Sequence, residues 1–150
     1  KMSEVDAPLA GEMSGHIFFR DKYYGFDDAL YAAVRIVELL DKRNKKLSSI
    51  RAKLPRMVNT PELRFDCAED KKFIVVEKAK NYLRAKENVS VSTIDGVRVS
   101  SAHGWWLLRA SNTQAALVAR CEADTLENLD VIKQDLRDLL ENVGILEPNF

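Results

Sequence analysis

Residues 93–123, TIDGVRVSSAHGWWLLRASNTQAALVARCEA, decide how the rest of the chain is read. The stretch predicts three strands carrying one polar loop. Asp95-Gly96, between two alternating β-rich runs, is the dipeptide that best tolerates the positive φ angles of a two-residue hairpin. Trp105 to Ala110 forms a second strand and Ala116 to Ala123 a third. Between these two lies Arg109-Ala110-Ser111-Asn112-Thr113, a dense cluster of hydrogen-bond donors. Arginine offers a planar fork matched to phosphate oxygens, and turn amides can converge into an anion-binding nest. Ser, Asn and Thr are also ordinary turn formers, so the same composition fits a plain turn.

With 150 residues, the chain has room for one domain or parts of two. Its 46% hydrophobic and 31% charged residues are those of a soluble globular domain. The 23 basic and 23 acidic residues cancel, so no net field draws it to nucleic acid or to an anionic membrane. No apolar run reaches the roughly 20 residues of a membrane span, and no signal peptide is visible. Cys67 and Cys121 lie in apolar, strand-like contexts without metal-ligand spacing, as reduced core thiols of a cytoplasmic protein do. Lys1 falls in the middle of what reads as a structured segment, which suggests a piece of something longer.

Toward the N-terminus, Gly11-Glu12-Met13-Ser14-Gly15-His16 is a polar loop bracketed by glycines and followed by a short strand, Ile17-Phe18-Phe19. Glu12, Ser14 and His16 alternate, so an extended loop would place them on one face. A carboxylate, a hydroxyl and an imidazole together suit recognition of sugar hydroxyls, although a solvated turn with a lone histidine has the same composition. Leu30, Ala33, Val34, Val37 and Leu40 recur at helical spacing, predicting an amphipathic helix over 27–41 with Asp27 as N-cap. A shorter helix containing Leu47, Ile50 and Leu54 ends at Pro55. Residues 1–55 hold too little sheet for a complete α/β domain.

Residues 56–62 form the predicted linker, with Thr60-Pro61 disfavouring helix. Leu63, Phe65 and Cys67 then alternate as a half-exposed strand. Within residues 71–86, Phe73-Ile74-Val75-Val76 is locally β-like, but the good helix formers from Glu77 to Arg84 favour helix, with Asp70 as its cap and apolar positions at 73, 76, 79 and 83. Asp124-Thr-Leu-Glu127 resembles a capping box leading into Leu126, Leu129, Ile132, Leu136, Leu139 and Val143, and Gly144 is a natural stop. Residues 63–150 thus read βαββββα. The expected fold class is α+β, an antiparallel sheet with two helices on one face.

The loop at 11–16, then Asp95-Gly96-Val97-Arg98 and Arg109-Ala110-Ser111-Asn112-Thr113, closed by Glu122-Ala123, resemble the α-D-phosphohexomutase superfamily. Within it, the phosphomannomutase/phosphoglucomutase branch is the nearest likeness. The resemblance covers nearly the whole chain in family order. It implies that residues 1–55 are the C-terminal part of a third, α/β domain and that 63–150 are a fourth domain similar to the TATA-binding-protein fold. The family's phosphoserine nucleophile and Mg²⁺-binding aspartate loop have no match here. The resemblance therefore implies a C-terminal fragment, inactive alone, of a cytoplasmic enzyme that also has N-terminal domains, uses Mg²⁺ and passes through glucose 1,6-bisphosphate.

By the same resemblance, Glu12 and Ser14 bind the hexose O3 and O4 hydroxyls, and His16 is a proton-transfer or phosphate-contact group. Arg109, Ser111, Asn112 and Thr113 grip the phosphate that is not being transferred. Ala115 stands where the family has proline, which leaves the loop backbone less fixed without removing a contact group. Phosphoglucosamine mutases carry glutamine in place of Met13 and glycine in place of Asn112, so both residues favour the phosphomannose/phosphoglucose branch. A non-catalytic sugar-phosphate-binding module is the alternative from another class. His103 reads as a surface turn residue, and Trp105 and Trp106 as packing residues on opposite sheet faces.

Overall fold

In the computed structural model, which describes residues 1–12, 14–84, 86–145 and 150, the chain divides into two units, Lys1–Leu54 and Pro55–Phe150. In the first unit, β1 (Leu9–Gly11) pairs antiparallel with β2 (Ile17–Phe19), in register Leu9↔Phe19 and Gly11↔Ile17. Two helices follow, α1 (Ala29–Arg43) and α2 (Leu47–Arg51). Asp28, rather than the expected Asp27, caps α1 by accepting the Tyr31 amide at 2.9 Å. The choice between these neighbours is made by Tyr23, whose phenol donates to the other Asp28 oxygen at 2.6 Å. That bond, with the Tyr31 amide, holds the Asp28 carboxyl below its usual range. The same bond pushes the Tyr23 phenol up to about 12.

α1 meets β2 through an aromatic cluster. Tyr31 stacks on Tyr23 at 3.8 Å and meets the Phe19 ring edge-on at 5.6 Å. Arg35 lies 4.6 Å above Phe19 and pairs with Asp21 at 2.9 Å. Leu30, Val34 and Val37, the apolar stripe of α1, remain 82%, 62% and 66% exposed. A helix of this kind normally gains most of its stability by burying such a stripe, so this unit has more apolar helix than cover for it.

The second unit is a six-stranded antiparallel sheet backed by two helices. Its elements are β3 (Val58–Asn59), β4 (Leu63–Asp66), α3 (Lys72–Leu83), β5 (Ser90–Ser92), β6 (Val97–Ser101), β7 (Gly104–Ala110), β8 (Ala116–Ala123) and α4 (Leu126–Asn142). The strand order is β3-β8-β7-β6-β5, with β4 also on β8. The expected linker at 56–62 is in part sheet. Val58 and Asn59 pair with Ala123 and Glu122, and Leu63 resumes pairing opposite Ala119. Between them the Thr60 amide donates to the Cys121 carbonyl at 3.0 Å, and the Cys121 amide donates to Thr60 Oγ1 at 3.1 Å. Pro61, lacking an N–H, interrupts the ladder there.

The two-residue hairpin lies at Ala102-His103, where Ser101 pairs with Gly104, and not at Asp95-Gly96. The Asp95-Gly96 turn is longer, because the last pair before it is Ser92↔Arg98. The helices also start differently from the reading above. Thr125 caps α4 by accepting the Asn128 amide at 3.1 Å, whereas Asp124 accepts from the Asn128 side chain at 2.7 Å. α3 has no side-chain cap at its start, so Asp70 does not serve as one.

One face of the sheet and both helices share a single core. Val97, Val99, Trp106, Leu108, Leu117, Ala119 and Cys121 meet Val75, Val76, Ala79 and Leu83 of α3 and Leu129, Ile132, Leu136, Leu139 and Leu140 of α4. Trp106 is fully buried, with its indole N–H donating to Asp135 at 2.6 Å. Trp105 faces the other way, half-buried beneath Arg98. Both cysteines are buried and free, and desolvation pushes the Cys121 thiol up to about 12. Native protein at pH 8 is therefore expected to leave Cys121 unmodified by an aromatic disulfide reagent, and both thiols should react after unfolding. Rapid labelling of Cys121 in the native state would contradict this packing.

Candidate functional site

The loop at residues 12–16 is the turn of the β1–β2 hairpin. The Glu12 amide donates to the His16 carbonyl at 2.9 Å and the Gly15 amide to the Glu12 carbonyl at 3.0 Å. Gly15 has φ +92°, a left-handed backbone that glycine adopts without strain. The hairpin turn, rather than an extended segment, brings the three expected side chains together. Ser14 Oγ lies 3.1 Å from Glu12 Oε2 and 2.6 Å from His16 Nδ1. With the serine hydroxyl donating to Glu12, an Nδ1–H would donate to Oγ, a chain of hydrogen bonds able to pass a proton. All three side chains remain solvent-exposed. Met13 lies outside the described residues.

Asp27, which does not cap α1, joins this cluster. Its Oδ2 lies 3.7 Å from His16 Nε2, and Glu12 Oε2 lies 3.3 Å from Nδ1, so the imidazole sits between two carboxylates. The signal that places Asp27 there is the bridge Phe18↔Asp27, which returns the chain beside β2 before α1 begins.

In the second unit, the loop after Ala110 is set by the end of the β7–β8 ladder. The last pair is Ala110↔Leu117, and the Ser111 amide still donates to the Ala116 carbonyl at 2.9 Å. Ser111 is buried, and its hydroxyl oxygen accepts from the Gln114 amide at 3.2 Å and the Thr113 amide at 3.4 Å. Its side chain thus shapes the turn from within, and what it retains for a ligand is its hydroxyl hydrogen. Asn112 and Thr113 are exposed.

Arg109 lies on the open sheet face, opposite Val118 on β8, and Arg64 on β4 flanks the same Val118 from the other side. Val118 lies on that face yet is only 2% exposed. Arginine stems on both flanks can cover such a valine while their charged heads stay in water. The Arg64 head is engaged by Glu62 and by the Gln114 side chain. Arg109 has a looser partner, Asp95 at 3.9 Å, which leaves most of its donors uncommitted. The turn carrying Asp95 is pressed onto Arg109, since a Cβ on Gly96 would come 2.3 Å from the Leu108 carbonyl and 2.7 Å from Arg109 Cα. His103, in the β6–β7 turn, lies with Nδ1 2.9 Å from Asn128 Oδ1.

Two family models match the chain. One describes the phosphoglucomutase/phosphomannomutase alpha/beta/alpha domain III and covers residues 1–58, and the other describes the C-terminal domain and covers 62–139. The chain belongs to the phosphoglucomutase/phosphomannomutase family. A phosphomannomutase/phosphoglucomutase of Pseudomonas aeruginosa is 43% identical over 143 residues, 95% of this chain and 31% of that protein. A phosphoglucomutase of Neisseria gonorrhoeae is 37% identical over 94% of the chain and 31% of its own length. A phosphomannomutase of Methanocaldococcus jannaschii is 30% identical over 93% and 30%. A crystal structure of a phosphoglucomutase/phosphomannomutase family protein from Burkholderia thailandensis superposes with TM-score 0.80 at 39% identity, over 99% of this chain and 31% of that one.

The chain thus spans about a third of the length of these relatives. The phosphohexomutase resemblance drawn from the two loops and the mixed, mainly antiparallel fold agree with these matches. Among the described residues, no group of three or more His, Cys, Asp or Glu side chains is placed to hold a metal ion.

Gly96 is the feature of this site most sensitive to a single atom. Its φ of +70° and the close approach to backbone predict that Gly96→Ala costs about 1–3 kcal/mol or more, read as a lower urea midpoint. An unchanged midpoint would show that the turn does not rest on Arg109 as described.

Proposed function

We propose that the chain is the C-terminal part of a phosphomannomutase/phosphoglucomutase, which interconverts hexose 1-phosphate and hexose 6-phosphate through a bisphosphorylated intermediate. The loop at 12–16 contributes sugar-hydroxyl contacts through Glu12 and Ser14, and His16 contacts the reacting phosphoryl or moves a proton there. Arg109, Ser111, Asn112 and Thr113 hold the phosphate that is not transferred. The observation that carries this reading is the β7–β8 loop, where an arginine with only a weak partner stands beside a turn whose serine is folded inward.

The chemistry explains why these residue types recur. The bisphosphorylated sugar must turn over within the site so that each end meets the same nucleophile. A clamp on the distant phosphate must accept either end, which calls for charge and hydrogen bonds rather than a shaped apolar pocket. Contacts to O3 and O4 tolerate the turnover because the two hydroxyls roughly exchange places. Glucose and mannose differ at C2, which such contacts leave unread, so both are substrates. Holding the distant phosphate supplies binding energy that orients the reacting end.

The phosphoserine, and the aspartates that bind Mg²⁺, belong to the rest of the parent protein in this reading, and Mg²⁺ supplies electrostatic stabilisation of the transferring phosphoryl when bound. That remainder also covers the exposed stripe Leu30, Val34 and Val37. Asn112 in the phosphate loop favours phosphomannose and phosphoglucose over phosphoglucosamine.

In the full-length protein, Arg109→Ala is expected to raise KM and lower kcat/KM by roughly two to three orders of magnitude, from lost charge-assisted contacts. Unchanged kinetics would remove Arg109 from the site. Glu12→Ala is expected to weaken discrimination among sugars altered at C3 or C4, leaving glucose and mannose phosphates equivalent in steady-state assays. A variant that newly separates those two would count against the O3/O4 assignment.

A further inference from the structure

Lys72, the first residue of α3, is 1% exposed, a rare position for a lysine unless its charge is fully engaged. Its ammonium has three partners for three donors. Nζ lies 2.6 Å from the Ser111 carbonyl, 3.1 Å from the Gln114 carbonyl and 2.6 Å from Glu69 Oε1. Two of these partners are backbone oxygens of the β7–β8 loop, about forty residues further along the chain.

A trans peptide points its C=O and its N–H in opposite directions. With the Ser111 carbonyl drawn onto Lys72, the Asn112 N–H points away from the ammonium. With the Gln114 carbonyl drawn the same way, so does the Ala115 N–H. Among the described residues neither of these amides has a protein acceptor, whereas the Ser111, Thr113, Gln114 and Ala116 amides are all spoken for within the loop. Carbonyl oxygens at this turn would repel a phosphate, and outward amides attract one.

We infer that Lys72 is a positioning residue for phosphate binding, which pins two loop carbonyls inward and so presents the Asn112 and Ala115 amides to the anion. This inference rests on the reading of residues 109–113 as the phosphate loop.

The test is calorimetric titration of the full-length protein with glucose 6-phosphate, comparing wild type, Arg109→Ala, Lys72→Met and Lys72→Arg, with a thermal melt of each. Lys72→Met is expected to weaken binding by about tenfold or more, the effect of losing one strong polar contact, and Lys72→Arg to restore most of the affinity. Wild-type affinity in Lys72→Met, with Arg109→Ala impaired, would overturn the inference and leave the phosphate-loop reading standing. Wild-type affinity in Arg109→Ala would overturn both. If the Lys72 variants fail to fold, amide shifts of the wild-type protein decide. Glucose 6-phosphate should move the Asn112 and Ala115 amide protons downfield, and an absence of movement at both would overturn the inference.

Discussion

The pairing of β7 with β8, in register from Gly104↔Ala123 to Ala110↔Leu117, is the constraint on which the second unit depends. Side chains alternate across a strand, so this register sends Trp106, Leu108 and Ala110 into the core and Trp105, Leu107 and Arg109 to the open face. A slip of one residue would reverse every one of them. Each large apolar side chain buried on the correct face contributes roughly 1.5–3 kcal/mol, and Trp106, Leu108 and Leu117 are all fully buried. Arg109 is therefore held in place by the burial of its neighbours in sequence. Its own bonds contribute little to its position, and they stay available.

The loop proposed to hold phosphate is what remains when that ladder stops. Ser111 turns inward to shape it, Gly96 presses on the strand that precedes it, and Lys72 holds its carbonyls from beneath. The hairpin loop at 12–16 has a different foundation. It rests on three residue pairs between two short strands and on an aromatic cluster, in a unit whose helix leaves its apolar stripe exposed. The stability of the first loop is built into its own unit, while the second unit's counterpart in 1–54 draws on far less buried surface.

Much of this architecture was legible from periodicity. Alternation over 97–123 and helical spacing over 126–143 are long signals, and the order βαββββα after residue 63 follows from them. Both polar loops stood out for the density of hydrogen-bonding side chains between apolar runs. The features that escaped are those decided by partners distant in sequence or by single atoms. Val58 and Asn59 read as linker because a two-residue strand carries no period, and only β8 reveals it. Asp27 and Asp28 are equally good caps locally, and the Tyr23 phenol decides between them. Lys72 occupied no expected core position, while Phe73 did, yet the lysine is buried and Phe73 exposed. The lysine's stem and charge are satisfied by loop carbonyls that no local pattern could announce.

The central claim is that two short polar loops recognise chemically different parts of a phosphorylated hexose. A crystal structure of the full-length protein with glucose 6-phosphate tests it most directly. The account predicts Glu12 and Ser14 within hydrogen-bond distance of sugar hydroxyls, and the guanidinium of Arg109 with the backbone of Asn112 on the phosphate. A phosphate bound elsewhere, with residues 109–115 touching no part of the sugar phosphate, would contradict it.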